Sequence, residues 1–260
     1  MNTHFSSAVL LALTTADRQL ALDTYDSAEA LPATSTLHAF KSEGWSLDGP
    51  HFTGSDLVLC FKGLSAFVLK GLSAAEALRA QAFAAARGDG HPGIVSYELH
   101  HSAGSGKYYM IMPKFQATVK QIPALSPADT VTLWNDIKAA LEYLHGLGFA
   151  HMDVKPSNIC VDANAKCVLV DVGSLAPFKT ATQSTVVYVP LDVNYRVSDP
   201  SVDWWMLAMT LAEKCCGEHP LNHGASATAR PTKAFLREHL STYLTPIVWR
   251  DLNDILVRFA

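Results

Sequence analysis

The sequence predicts an α+β chain in which a strand-rich first part precedes a helix-rich second part. Before residue 115, short apolar runs come in pairs around Gly- or Ser-containing turns, which is how hairpins read. After residue 125, long apolar segments follow helix-start signals instead. No internal repeat or low-complexity linker interrupts the change, and Gln116–Pro123 is the expected boundary region.

Residues 1–45 mix short apolar runs with Ser, Thr, Ala and Asp and predict no clear element. The run Ala8–Leu13 has no Lys or Arg before it and is soon followed by Asp17 and Arg18, so it reads as structural rather than as a secretion signal. Leu57–Phe61 and Ala66–Lys70 form the first expected hairpin. Ser73 with Glu76 three residues on has capping-box form and opens an Ala-rich helix to about Arg87, ended by Gly88-Asp89-Gly90. His91–Val95 leads into a strand, and Tyr97–His101 with Tyr108–Met112 makes a second hairpin. Ser126 and Pro127 read as N-cap and N1 of a helix that runs to about Leu147 and stops at Gly148. Ile159–Asp162 and Cys167–Asp171 are short strands around a turn at Asn164. Val202–Cys216, Ala234–Leu240 and Ile247–Phe259 complete the set as helices.

With 260 residues, 49% of them hydrophobic and 17% charged, the chain can bury a substantial core, and disorder is disfavoured. A formal net charge of −4, with no Lys/Arg block, gives no reason to expect a nucleic-acid partner. No apolar run approaches the roughly 20 residues of a membrane span. The five cysteines, Cys60, Cys160, Cys167, Cys215 and Cys216, are odd in number and contain no Cys-x-x-Cys. Reduced thiols in a cytoplasmic or other reducing compartment are therefore expected, within a host cell being one possible setting, and a structural zinc site is not.

The segment His151-Met152-Asp153-Val154-Lys155-Pro156-Ser157-Asn158 is followed about a dozen residues later by Asp171-Val172-Gly173. Phosphoryl transfer needs a carboxylate for the attacking hydroxyl, oxygen ligands for a metal held against phosphates, and a cation for the transferring group. Asp153, Asn158, Asp171 and Lys155 supply that set. Each alone could be a turn residue; the joint spacing argues otherwise.

These motifs resemble the eukaryotic protein kinases, whose loops read His-Arg-Asp-Leu-Lys-x-x-Asn and Asp-Phe-Gly. The resemblance covers roughly residues 47 to 259 and implies a two-lobed fold. Residues 1–115 would form a small β-rich lobe with one main helix, and 116–260 a larger, mainly helical lobe, shorter than the family's. It implies ATP and Mg²⁺ as cofactors, Asp153 as the catalytic base, Lys155 at the γ-phosphate, and Asn158 and Asp171 as metal ligands. Val68-Leu69-Lys70 matches the family's Val-Ala-Ile-Lys, which makes Lys70 the α/β-phosphate ligand. Met112 falls at the gatekeeper of the nucleotide hinge, with Phe115 just beyond it, and Gly49 and Gly54 fall in the phosphate loop. Thr185–Asp192 has the spacing of Thr-x-x-Tyr-x-Ala-Pro-Glu, which places Thr185 near Asp153 and Lys155. Asp203 matches the Asp that organises the catalytic loop, with a plain helix cap as the alternative. Lys155, two residues after Asp153, is the Ser/Thr-kinase form, so the implied partner is a protein substrate.

Departures accompany the match. His51 stands where the phosphate loop prefers Gly. The partner of Lys70 reads as Glu76 or Gln81. Met152 replaces the Arg that receives an activation-loop phosphate, and the loop from Ser174 to Ser184 is short, so activity without that switch is expected. The alternatives are a pseudokinase scaffold, which the poor glycine loop favours, and a small-molecule kinase, which usually lacks the Lys at 155.

Overall fold

The computed structural model describes residues 45–48, 57–62, 65–101, 108–217, 219 and 230–259. Residues 1–44 with the Ala8–Leu13 run, the glycine loop with Gly49, His51 and Gly54, and the turn of the second hairpin lie outside the described residues. The chain divides into two compact units, one of residues up to Ala82 plus Val95–Lys114, the other of Phe83–Ile94 plus Phe115 onward.

In the first unit, strands β1 (Trp45–Asp48), β2 (Leu57–Lys62) and β3 (Ser65–Leu72) are followed by helix α1 (Ala74–Ala86), then β4 (Glu98–His101) and β5 (Tyr108–Pro113). They form an antiparallel sheet of order β1-β2-β3-β5-β4. Strand β3 alternates from Ala66 to Lys70, with Phe67 and Leu69 buried between half-buried neighbours, as expected of a sheet with one face on a core. Its register against β5 pairs Lys70 with Met110 and Val68 with Met112, so Lys70 and Met112 stand on one face of the sheet. Helix α1 begins with the anticipated reciprocal cap. The Ser73 amide and hydroxyl both donate to Glu76 Oε2, at 2.8 and 2.7 Å, and the Glu76 amide donates back to Ser73 Oγ at 3.3 Å.

The second unit contains β6 (Ala117–Thr118), α2 (Pro127–Gly146), β7 (Phe149–Ala150), β8 (Ile159–Val161), β9 (Cys167–Leu169), β10 (Ala176–Pro177), α3 (Pro200–Cys216), α4 (Lys233–Tyr243) and α5 (Pro246–Arg258). Helix α2 starts where Ser126 accepts a hydrogen bond from the Asp129 amide at 3.2 Å with Pro127 behind it. It buries Leu133, Ile137, Leu141 and Leu144, a stripe at helical spacing. Every residue from Val202 to Ala212 of α3 is buried, so this helix is covered on all sides rather than amphipathic. The stripes Leu236/Leu240 of α4 and Val248/Leu252/Leu256 of α5 are buried as well. Two small ladders, β6-β8-β9 and β7-β10, carry the loops discussed below.

The stretch Phe83–Ile94, which the sequence reading placed in the first lobe, groups with the second unit. Phe83 meets Phe149 edge-on at 5.7 Å, Ile94 makes a parallel bridge to Leu169, and the Gly93 carbonyl accepts from the Leu169 amide at 2.8 Å. Those partners lie about 65 to 75 residues away, which no local pattern shows.

Leu141 has 0% exposure, whereas Ile247 on α5 has 64%. Leu141→Ala should cost about 3 kcal/mol and Ile247→Ala less than about 0.5 kcal/mol in urea unfolding followed on the second unit.

Candidate active site

The catalytic-type loop follows β7 directly. Asp203, on the first turn of α3 and fully buried, fixes its start. One carboxylate oxygen accepts the His151 amide and the other the Met152 amide, each at 2.7 Å. The first oxygen also receives His145 Nε2 at 2.9 Å from the last turn of α2. The N-cap of α3 is Asp199, whose side chain accepts from the Ser201 amide at 2.8 Å, so Asp203 is not the helix cap. Between the held amides and Asp153, Met152 adopts φ 65, a left-handed conformation that costs a non-glycine residue about 1–2 kcal/mol. Two charge-assisted hydrogen bonds, each worth roughly 1.5–3 kcal/mol, offset that strain.

His151 ties this loop to the next strand end. Its Nε2 faces the Val170 carbonyl at 2.8 Å and must donate there, leaving Nδ1 to accept the Asp153 amide at 3.3 Å. The Val170 amide donates to the Asn158 carbonyl at 2.9 Å. Val170 is thus held from both sides, and Asp171 is the next residue. Asp171 takes φ 65, ψ 52, a left-handed position that Asp tolerates better than most residues. A single 3₁₀ turn, Val172–Ser174, follows, with Val172 buried and Ser174 Oγ donating to the Asp171 carbonyl at 2.7 Å.

Around Asp153 the side chains converge. Lys155 Nζ lies 2.7 Å from Asp153 Oδ2 and donates to Thr185 Oγ1 at 2.7 Å. Lysine only donates, so Thr185 accepts from it and passes its own hydroxyl proton toward Asp153 Oδ1 at 2.5 Å. Asn158 Nδ2 donates to Asp153 Oδ2 at 2.8 Å and to its carbonyl at 2.9 Å. That fixes the amide: Oδ1 points away from Asp153 and takes no hydrogen bond among the described residues. Burial alone would raise the Asp153 carboxyl; hydrogen bonds from Lys155 and Thr185 and the Lys155 charge outweigh it and hold the pKa below the usual carboxylate range. Asp153 is therefore an anion at neutral pH.

The segment carrying Thr185 is anchored nearby. Ser184 Oγ donates to the Met152 carbonyl at 2.6 Å, and Tyr188 donates to Glu213 Oε2 of α3 at 2.6 Å. Burial, first, and the Glu213 hydrogen bond raise the Tyr188 hydroxyl well above its ordinary pKa. Asp192, where the kinase pattern has Glu, accepts the Lys233 amide at the start of α4, at 2.9 Å.

In the first unit, Lys70 Nζ lies 3.8 Å from Glu76 Oε1, while Gln81 is exposed. Glu76 is thus both cap and ion-pair partner. The pair is long and partly exposed, so its contribution to stability is small. Met112 is buried in β5, and Phe115, half-buried, belongs to the second unit. The structure thus brings Asp153, Lys155, Asn158 and Thr185 together and sets Asp171 beside them along the chain. Lys70 and Glu76 pair separately. His145 and Glu213 were missed, His145 leaving only the trace of a basic residue in the last turn of a helix; Ser184 and Tyr188 stood within the loop and the Thr185–Asp192 match but were not given these hydrogen bonds.

The fold, a five-stranded antiparallel sheet unit with one helix and a mainly helical unit bearing this loop, is that of a two-lobed kinase. The protein kinase domain model matches residues 80–251, and the chain belongs to that family. A probable serine/threonine-protein kinase of Dictyostelium discoideum is 29% identical over 147 residues, 51% of this chain and 32% of that one. Mitogen-activated protein kinase kinase kinase 3 of Arabidopsis thaliana is 30% identical over 190 residues, 68% of this chain and 33% of that one. The match therefore spans about a third of the length of these curated relatives. The structure of the Cydia pomonella granulovirus kinase PK-1 superposes with a TM-score of 0.64 over 86% of this chain and 92% of that chain, at 17% identity, a likeness of fold.

Lys155→Met removes the hydrogen bond and charge that oppose burial. The Asp153 carboxyl, followed by carbon NMR, should then titrate at a higher pH than in the wild type. Unchanged titration would show that Lys155 does not hold the charge.

Proposed function

We propose that the chain transfers the γ-phosphoryl group of ATP, with Mg²⁺, to Ser or Thr hydroxyls of a protein substrate. The observation that carries this is the network at Asp153: an ionised carboxylate held by Lys155, Thr185 and Asn158. Asp153 orients the acceptor hydroxyl and takes its proton as the bond forms; Lys155 places its charge at the transferring group.

The donor set fits a hard cation. Asn158 turns its amide oxygen away from Asp153, and Asp171 supplies a carboxylate next to Val170, whose amide donates to the Asn158 carbonyl. One or two such oxygens, completed by water and phosphates, suit Mg²⁺. When bound, that ion neutralises phosphate charge; Asn158 and Asp171 would hold it. Lys70, 3.8 Å from Glu76, is assigned to the α/β-phosphates, and Met112 and Phe115 to the nucleotide base. Gly49 and Gly54 keep their assignment to the phosphate loop.

Activity independent of activation-loop phosphorylation is part of the proposal. The family's Arg is Met152, fully buried, and Ser184 already bonds its carbonyl. Asp153→Asn and Asp171→Ala should each reduce phosphate transfer from ATP–Mg²⁺ to a generic Ser/Thr protein by at least about 100-fold. Asp171→Ala should also remove the Mg²⁺-dependent part of the ATP thermal shift. A folded wild-type chain with neither transfer nor shift would support the scaffold reading instead. No described helix is long and apolar enough to cross a membrane. A reducing compartment remains our assignment, supported by free, buried Cys160 and Cys167.

A further inference from the structure

The four cysteines whose side chains are described, all in the second unit, differ in chemistry. Cys160 and Cys167, buried in β8 and β9, have thiols pushed up to about 12, by burial first in both. Cys215 is also raised by burial, and its Sγ shares a contact of 3.6 Å with Thr130 Oγ1. All three are protonated and poorly nucleophilic at neutral pH.

Cys216, the last residue of α3, is half-buried, and its Sγ lies 3.3 Å from His239 Nε2 of α4. The imidazole is held between two rings of its own helix. Phe235 stacks on it at 5.7 Å with 14° between planes, and Tyr243 stands 4.9 Å away on the other side in sequence. Gly217, at φ 79, ends α3 directly after the thiol. A thiol in hydrogen-bond reach of a fixed imidazole is the arrangement that activates a sulfur nucleophile. Nothing in the phosphoryl-transfer reading uses this pair.

We propose that Cys216 and His239 form a nucleophilic thiol–imidazole pair, a modification site that takes hydroperoxides. The Cys216 proton passes to His239 Nε2, and the thiolate attacks the nearer peroxide oxygen. An S–O bond forms as the O–O bond breaks; sulfur is oxidised by two electrons and the peroxide reduced. The leaving hydroxide or alkoxide takes the imidazolium proton and departs as water or alcohol, which leaves Cys216 as sulfenic acid and His239 neutral.

The test treats the purified full chain with limiting hydrogen peroxide, traps sulfenic acid with dimedone, and locates it by fragmentation mass spectrometry. Cys216 should label about ten-fold faster than Cys215, Cys160 and Cys167, and His239→Gln should bring it down to their level. Thiolate ultraviolet absorbance at neutral pH should be present in the wild type and lost in both Cys216→Ser and His239→Gln. Circular dichroism verifies that the variants stay folded. Labelling of Cys216 no faster than Cys215, or a rate that His239→Gln leaves unchanged, overturns the proposal.

Discussion

The buried carboxylate of Asp203 is the constraint on which the rest of the site depends. An isolated carboxylate at full burial would be costly by several kcal/mol, and here it is satisfied by two backbone amides and an imidazole. The exchange works in both directions. The loop supplies the N–H groups that let the charge stay buried, and the charge makes the left-handed turn at Met152 the stable conformation. Asp153 follows that turn, so its place is set by α3 and by the last turn of α2 rather than by the loop's own sequence.

A second tether sets the spacing between the two acidic positions. His151 reaches the Val170 carbonyl, and the Asn158 carbonyl receives the Val170 amide, so the loop and the end of β9 share one anchor residue. The electrostatics build on that frame. Desolvation by itself would raise the Asp153 carboxyl; Lys155 and Thr185 reverse the sign. Thr185 is in turn held by a segment whose Ser184 and Tyr188 bond the loop and α3.

Much of this was legible in the sequence where the cause is local. Both hairpins, the Ser73–Glu76 and Ser126–Pro127 helix starts, and the apolar stripe of α2 depend on residues within a few positions of one another. That Asp153, Lys155 and Asn158 come together was legible because they sit within one short loop of six residues. The rest depends on partners far apart in the chain. His145 and Asp203 meet across 58 residues, and Tyr188 and Glu213 across 25, with no periodicity to announce them. The start of α3 at Val202 was read two residues late, and the cap left open for Asp203 falls on Asp199, because only burial shows that Asp203 is turned into the core. The choice between Glu76 and Gln81 for Lys70 likewise needed the helix phase: Gln81 faces solvent, and Glu76 at the first turn reaches the lysine.

The claim that Asp203 holds the loop is tested most directly by amide hydrogen exchange at His151 and Met152, in the wild type and in Asp203→Ala. The account predicts strong protection of both amides in the wild type. In the variant that protection should collapse, while the amides of α2 around Leu141 remain protected. Rapid exchange of His151 and Met152 in the wild type, or protection that survives removal of the carboxylate, would contradict it.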